Sequence, residues 1–450
     1  MRITFPKLLG AGFAAVLIGY TFVYAPGFPG HAVGHSASGI GSQITSVHPS
    51  PAPPEVFPPA GKKFVGVMTS TGPYDFTAVD KFSMAVHQHP SVYEFAQGWA
   101  LNQFNRGVID KVANRGMLPL ISWEPWDYRD NSPGAQKQGN QPAYKLSNII
   151  DGHYDRYIRS WAEGVKSLGY TIGIRFAHEM NGWWQFPWAT AADPKTGVVP
   201  NGNIPQDYVN AWRHVHDIFT HVGTTNVIWV WSPNIVWNTS KDLAALYPGN
   251  SYVDWIGLSG YYGTPGIYEY RSFDSLFDQT LSELRTVTGK PIVITETGGT
   301  NTADLMARYV TQMFDQLPAH TNIIGVIWYE ATAVVDWKIA DHPDAAAAFA
   351  KGFANPLYQV TWRRGMVPLE TVPQPRTQLT AGPSSSPPAG TAAPPAVPTT
   401  APVTRQTTHS PGPTPAPTSS PSRNPSPSPT RSPKPTTSPT TSPTPSPTKA

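Results

Sequence analysis

The chain has 450 residues, 14% of them charged, a formal net charge of +3 and no cysteine. Without thiols it can form neither disulfides nor thiolate metal sites. Its basic surplus lies in residues 376–450, where Arg376, Arg405, Arg423, Arg431, Lys434 and Lys449 meet no acid; the rest of the chain sums to −3, which gives nucleic-acid binding no support.

At the N-terminus, Arg2 and Lys7 precede an apolar run over residues 8–25, the layout of a signal peptide or signal anchor. A secreted or cell-surface location is therefore expected. Residues 26–58, rich in Gly, Pro, Ser and His, read as a spacer, and residues 59–370 as one folded domain. Strands are predicted at 64–70, 91–98, 118–123, 171–177, 227–232, 255–260, 292–295 and 323–328. Helical periodicity fills most gaps, at 154–168, 208–222, 273–287 and 303–317. Eight near-continuously apolar strands with helices between them predict a parallel closed sheet, a (β/α)8 TIM barrel. Residues 371–450 are a Pro/Ser/Thr-rich tail with no aromatic and no acid. Such a composition buries too little apolar surface to offset its ordering entropy, so the tail is predicted to be disordered.

Barrels of this kind carry their active site at the carboxyl ends of the strands. Glu179 follows the fourth predicted strand, in His178-Glu179-Met180-Asn181-Gly182-Trp183-Trp184, and Glu296 follows the seventh, in Ile294-Thr295-Glu296-Thr297-Gly298. Other strand ends are polar or aromatic: Trp123-Glu124-Pro125-Trp126, Trp231-Ser232-Pro233-Asn234, Ser259-Gly260-Tyr261-Tyr262 and Trp328-Tyr329-Glu330. Paired carboxyls among flat rings suit glycoside hydrolysis, in which one carboxyl protonates the leaving oxygen and the other attacks the anomeric carbon. Glu179 is expected to have a raised pKa from apolar surroundings and from Glu296. Arg175, two pleats before Glu179, is expected to share its face of the strand and to hold Glu296 ionised together with Tyr261. His178-Glu179 is not the start of a zinc-binding His-Glu-x-x-His, because the fifth position is Gly182. No metal and no cofactor are expected.

His178-Glu179-Met180-Asn181-Gly182, with Trp184 and Pro187-Trp188 after it, resembles the acid/base signature of glycoside hydrolase family 26. Ile294-Thr295-Glu296-Thr297-Gly298 is similar to that family's nucleophile strand, and Asp336-Trp337 fits its pattern after the last strand. The resemblance implies a retaining, endo-acting hydrolase of β-linked polysaccharide, with Glu179 as acid/base and Glu296 as nucleophile. It further implies that His178 bonds the sugar or the nucleophile's surroundings, that Tyr261 bonds the nucleophile, and that Trp184 and Trp328 shape the subsites; Trp188 is also expected to meet the substrate. Trp123 and Arg175 complete the expected substrate-binding set. Ser259 departs from the family, which often has Asp there. β-1,4-Mannan is the expected substrate. The alternatives are a mixed-linkage β-1,3-1,4-glucanase, an exopolysaccharide hydrolase, and a non-catalytic carbohydrate-binding wall protein. A monomer is expected, with membrane or cell-wall association through the N-terminal segment or the tail.

Overall fold

The computed structural model describes residues 54–130, 139–182, 186–263, 270–300, 305–333 and 335–370. The expected leader, most of the spacer and the tail lie outside them. Eight parallel strands close into a barrel: β1 Phe64–Thr69, β2 Val92–Gly98, β3 Leu118–Glu124, β4 Ile172–Phe176, β5 Val227–Trp231, β6 Trp255–Tyr261, β7 Ile292–Gly298 and β8 Ile323–Glu330. Pairing of β1 with β8, from Phe64 opposite Gly325 to Thr69 opposite Glu330, completes the cylinder. Every residue of these eight strands is buried except the half-buried Tyr261. Their near-continuous apolarity follows from coverage on both faces, by the barrel filling inside and by helices outside.

The outer layer includes α1 Thr77–Ala85, α2 Arg106–Asn114, α3 Asp155–Leu168, α4 Pro205–Val222, the single-turn α5 Leu243–Leu246, α6 Phe273–Val287, α7 Leu305–Gln316 and α8 Pro343–Phe353, with a short helical turn at Leu146–Ile150 before α3. In α3, Ile158, Trp161, Ala162, Val165 and Leu168 recur at helical spacing and turn one apolar stripe inward. Pro205 opens α4, where its missing N–H costs nothing, and Gly223 at φ 74° ends it in a left-handed cap. Among the described residues, no helix is long and apolar enough to cross a membrane.

The amino-terminal end of the barrel is sealed by aromatic rings. Phe57 stacks on Phe64 at 5.4 Å between centroids, and Phe64 on Trp255 at 6.0 Å. Gly325 makes room for this plug, because a Cβ there would stand 2.4 Å from the Phe64 ring. Val56–Phe57, expected in the spacer, instead pairs with Val367–Pro368 as a two-stranded sheet under the base.

Two local distortions mark the opposite end. Strand β7 runs to Gly298, so Glu296 lies within it rather than after it. Against β6 the register passes from Gly257 opposite Val293 to Ser259 opposite Glu296; against β8 it passes from Ile294 opposite Val326 to Thr297 opposite Trp328. On both sides β7 spends three residues where its neighbour spends two, which is a β-bulge at Thr295–Glu296. The extra residue brings two consecutive side chains to the interior: the Thr295 hydroxyl lies 3.0 Å from that of Ser232, and Glu296 meets Arg175. Beyond β4, Ala177 and Glu179 adopt φ of 44° and 56°. The period-two alternation predicted from Arg175 through Glu179 therefore stops at Phe176, and a left-handed turn carries Glu179 to the opening. Non-glycine residues in that region are strained, and such strain concentrates at functional sites.

Candidate active site

Arg175, wholly buried, is the hub of the barrel mouth. Its Nε donates to Ser232 Oγ at 2.9 Å and its Nη2 to Ser259 Oγ at 2.6 Å. Nη1 donates to Glu94 Oε1 at 3.0 Å, to Ser122 Oγ at 3.0 Å and to Glu296 Oε1. Burial works against the guanidinium charge, but Glu296 and Glu94 outweigh it, so the arginine is held even more firmly protonated than usual.

Glu296 is fixed on its other side by the Tyr261 hydroxyl, which donates to Oε2 at 2.5 Å. Burial and the Glu296 charge push the phenol pKa well up, so it remains a donor. The Tyr261 ring in turn leans on Trp337 at 4.8 Å and on Tyr329 at 5.8 Å.

Glu179 occupies a different environment. Its N–H donates to the Ser232 carbonyl at 2.7 Å. The turn that carries it is pinned by Asn181, whose side chain accepts from the Asn234 N–H and donates to the Asn234 carbonyl, each at 2.9 Å. Burial, then the charge of Glu296, raises the Glu179 pKa to about 7; Arg175 and hydrogen bonds from Asn234 and Ser259 oppose the rise. One carboxyl stays largely protonated up to near neutrality beside another clamped by a guanidinium and a phenol.

The other expected residues divide. Trp123, Trp188 and Trp328 are wholly buried and offer no face to a sugar, which corrects their assignment to the substrate. Trp123 faces outward onto Trp161 and Phe219, because its strand neighbours Ser122 and Glu124 point in. Trp328 packs on Phe349 and donates its indole N–H to the Trp337 carbonyl at 2.8 Å. Trp188 stacks on Phe186 at 4.6 Å and donates to the His178 carbonyl at 2.6 Å, bracing the Glu179 turn from below. His178 packs its ring on Phe186, and no hydrogen bond joins that ring to Glu296. Burial and Arg175 push its pKa well down, so it is neutral. Arg175 is an internal clamp with no exposed surface rather than a sugar contact. Trp184 lies outside the described residues.

Among the described residues, three glutamates besides the pair are buried. Glu330 accepts from the N–H groups of Ile339 (2.7 Å) and Ala340 (2.9 Å), anchoring the loop that carries Trp337. Glu124 accepts from the Trp126 indole at 2.8 Å, and burial lifts its pKa to about 8. Glu94 was not anticipated; a lone acid inside Val92-Tyr93-Glu94-Phe95 was the available signal, since buried carboxylates are rare unless paired. Among the described residues, Asp274, Asp278 and His320 bring candidate metal-ligand atoms within 4.8 Å of one another, but none of them belongs to the Arg175 network.

The family model for glycosyl hydrolase family 26 matches residues 63–312, more than half of the chain. Endoglucanase H of Acetivibrio thermocellus is 32% identical over 267 residues, which are 57% of this chain and 27% of that protein. The present chain thus spans about a quarter of that relative. A mannan endo-1,4-beta-mannosidase of Bacillus subtilis is 25% identical over 310 residues, 64% of this chain and 76% of that protein. A GH26 beta-mannanase structure from Bacteroides ovatus aligns with a TM-score of 0.49 and 16% identity, covering 67% of this chain and 90% of the other. The family match covers β1 to β7 and includes both Glu179 and Glu296. This chain belongs to glycosyl hydrolase family 26.

Proposed function

We propose that the protein is a retaining, endo-acting glycoside hydrolase that cleaves a β-linked polysaccharide, with β-1,4-mannan as its substrate. The observation that carries this reading is that Arg175 and Tyr261 hold Glu296 from two sides while burial and the Glu296 charge raise the pKa of the neighbouring Glu179 to about 7. Glu296 attacks the anomeric carbon as Glu179 protonates the glycosidic oxygen; Glu179 then takes a proton from water, whose oxygen displaces Glu296. Tyr261 and Arg175 orient the nucleophile and stabilise its carboxylate as it leaves. Because Glu179 must carry its proton for the first step, activity falls as pH rises through about 7.

Mannan is favoured by the mannosidase relative, three-quarters of which aligns with this chain. A β-glucan is the second reading. It is supported by the higher identity to Endoglucanase H and by Ser259, whose small hydroxyl contacts Arg175. The apolar segment after Arg2 and Lys7 supports a secreted or surface-attached enzyme. Reducing-sugar release from mannan, lichenan, carboxymethylcellulose and xylan is the direct test. Cleavage of mannan is expected, and Glu296→Ala should lower kcat on the order of 10⁴-fold while sugar binding persists. Full activity in that variant would remove the mechanism; cleavage of lichenan alone would transfer the substrate to β-glucan.

A further inference from the structure

Glu94 takes no part in the chemistry above, yet it is bound into it. It sits on β2 opposite Leu120 of β3, one pleat deeper than the Ser122–Arg175 pair, and has no exposed surface. Its Oε1 accepts from Arg175 Nη1 at 3.0 Å and from Ser122 Oγ at 2.7 Å. Its Oε2 is buried with no hydrogen-bond partner. Nη1 carries two hydrogens and meets three acceptors, Glu94, Ser122 and Glu296. The groups facing Glu94 are Ser122 and Glu124 from β3, Arg175 from β4 and Glu296 from β7; one cation serves them all.

A buried carboxylate with a bare oxygen is costly, and a proton on that oxygen removes the buried charge, the larger part of the cost. With the proton on, Glu94 is a neutral acceptor that holds the guanidinium flat against Ser122 and leaves its charge to Glu296. With the proton off, two carboxylates draw on the same nitrogen.

We propose that Glu94 is a positioning residue for Glu296: it fixes the orientation of Arg175 when protonated and competes with Glu296 for that arginine when ionised. The inference rests on the hydrolase reading for its kinetic consequence, though the coupling itself does not. Burial, only partly offset by Arg175, raises the Glu94 pKa to about 7, so the competition begins near neutrality. Loss of Arg175 from Glu296 makes it a poorer leaving group in the second step, and kcat drops.

The test is the pH dependence of kcat for the wild type, Glu94→Gln, Glu94→Ala and Ser122→Ala. In the wild type the alkaline limb is expected to fall with two ionisations, those of Glu179 and Glu94. Glu94→Gln keeps the shape and loses one ionisation. Its kcat relative to wild type should therefore rise about tenfold per pH unit above both ionisations. Glu94→Ala removes the anchor and should lower kcat about 100-fold with little change in KM, the cost of a misplaced reactive group. Ser122→Ala leaves Glu94 in place but removes a hydrogen bond to its ionised form, so the second descent moves to higher pH. Parallel alkaline limbs in wild type and Glu94→Gln, or an unmoved limb in Ser122→Ala, would overturn the proposal. A readout without substrate separates it from the hydrolase reading. In a carbon-13 titration of labelled glutamate carboxyls, the Glu296 signal should shift at the Glu94 step in wild type and lose that shift in Glu94→Gln. Absence of that step in the wild type refutes the coupling; its presence in a protein that cleaves no glycan refutes only the hydrolase reading.

Discussion

The two ends of the same eight strands are built from opposite materials. At the base, Phe57, Phe64 and Trp255 stack into a dry plug. At the mouth, Glu94, Glu124, Glu179 and Glu296 crowd around the buried guanidinium of Arg175. Apolar burial stabilises the fold, whereas burying a carboxyl short of cations destabilises it. The base and the outer aromatic shell therefore supply the stability that the mouth consumes. Strength and chemistry are separated along the barrel axis, and substitutions should separate them too.

The sharpest way to break that division is Glu179→Ala at the mouth. It should lower kcat about 10³-fold on a polysaccharide, the scale of lost general-acid catalysis, and far less on an aryl glycoside with a good leaving group. The melting temperature should stay level or rise, and a large fall would blur the separation. Phe64→Ala at the base should do the reverse. A buried Phe-to-Ala change costs about 3 kcal/mol or more, read as a lower urea midpoint, while kcat of the folded enzyme persists. Loss of kcat under fully native conditions would show the two ends to be coupled.

The smallest effect concerns pH. Glu124 has a folded-state pKa near 8, above its unfolded value, because it is buried. Its contribution to stability is full below the unfolded pKa and is lost as pH rises through about 8. Glu94 and Glu179 act in the same direction. The melting temperature should therefore decline between pH 5 and 8, and Glu124→Gln should reduce that decline by an amount on the order of 2 °C. A variant whose melting curve tracks the wild type at every pH would show that Glu124 is not strained by its burial.

The barrel was readable from the chain because each strand is a short apolar run with a turn after it, and these signals are local. Glu179 and Glu296 stood out because they interrupt such runs at their carboxyl ends. What escaped was non-local. The bulge at Thr295–Glu296 is defined only by the registers of β6 and β8. The left-handed turn at Ala177 and Glu179 is held by contacts to Ser232 and Asn234, more than fifty residues away. Trp123, Trp188 and Trp328 were misread for a different reason: Trp is equally at home against a sugar and against a helix. Alternation along β3 could have settled Trp123, since Ser122 and Glu124 already claim the interior.

The pairing of Val56–Phe57 with Val367–Pro368 has a practical corollary. The polypeptide enters and leaves the catalytic body side by side, at the pole opposite the carboxyls. A tether, fusion partner or solid support joined at either terminus of this body attaches behind the catalyst. A long polymer can then approach the open pole from in front and lie across it without meeting the attachment point.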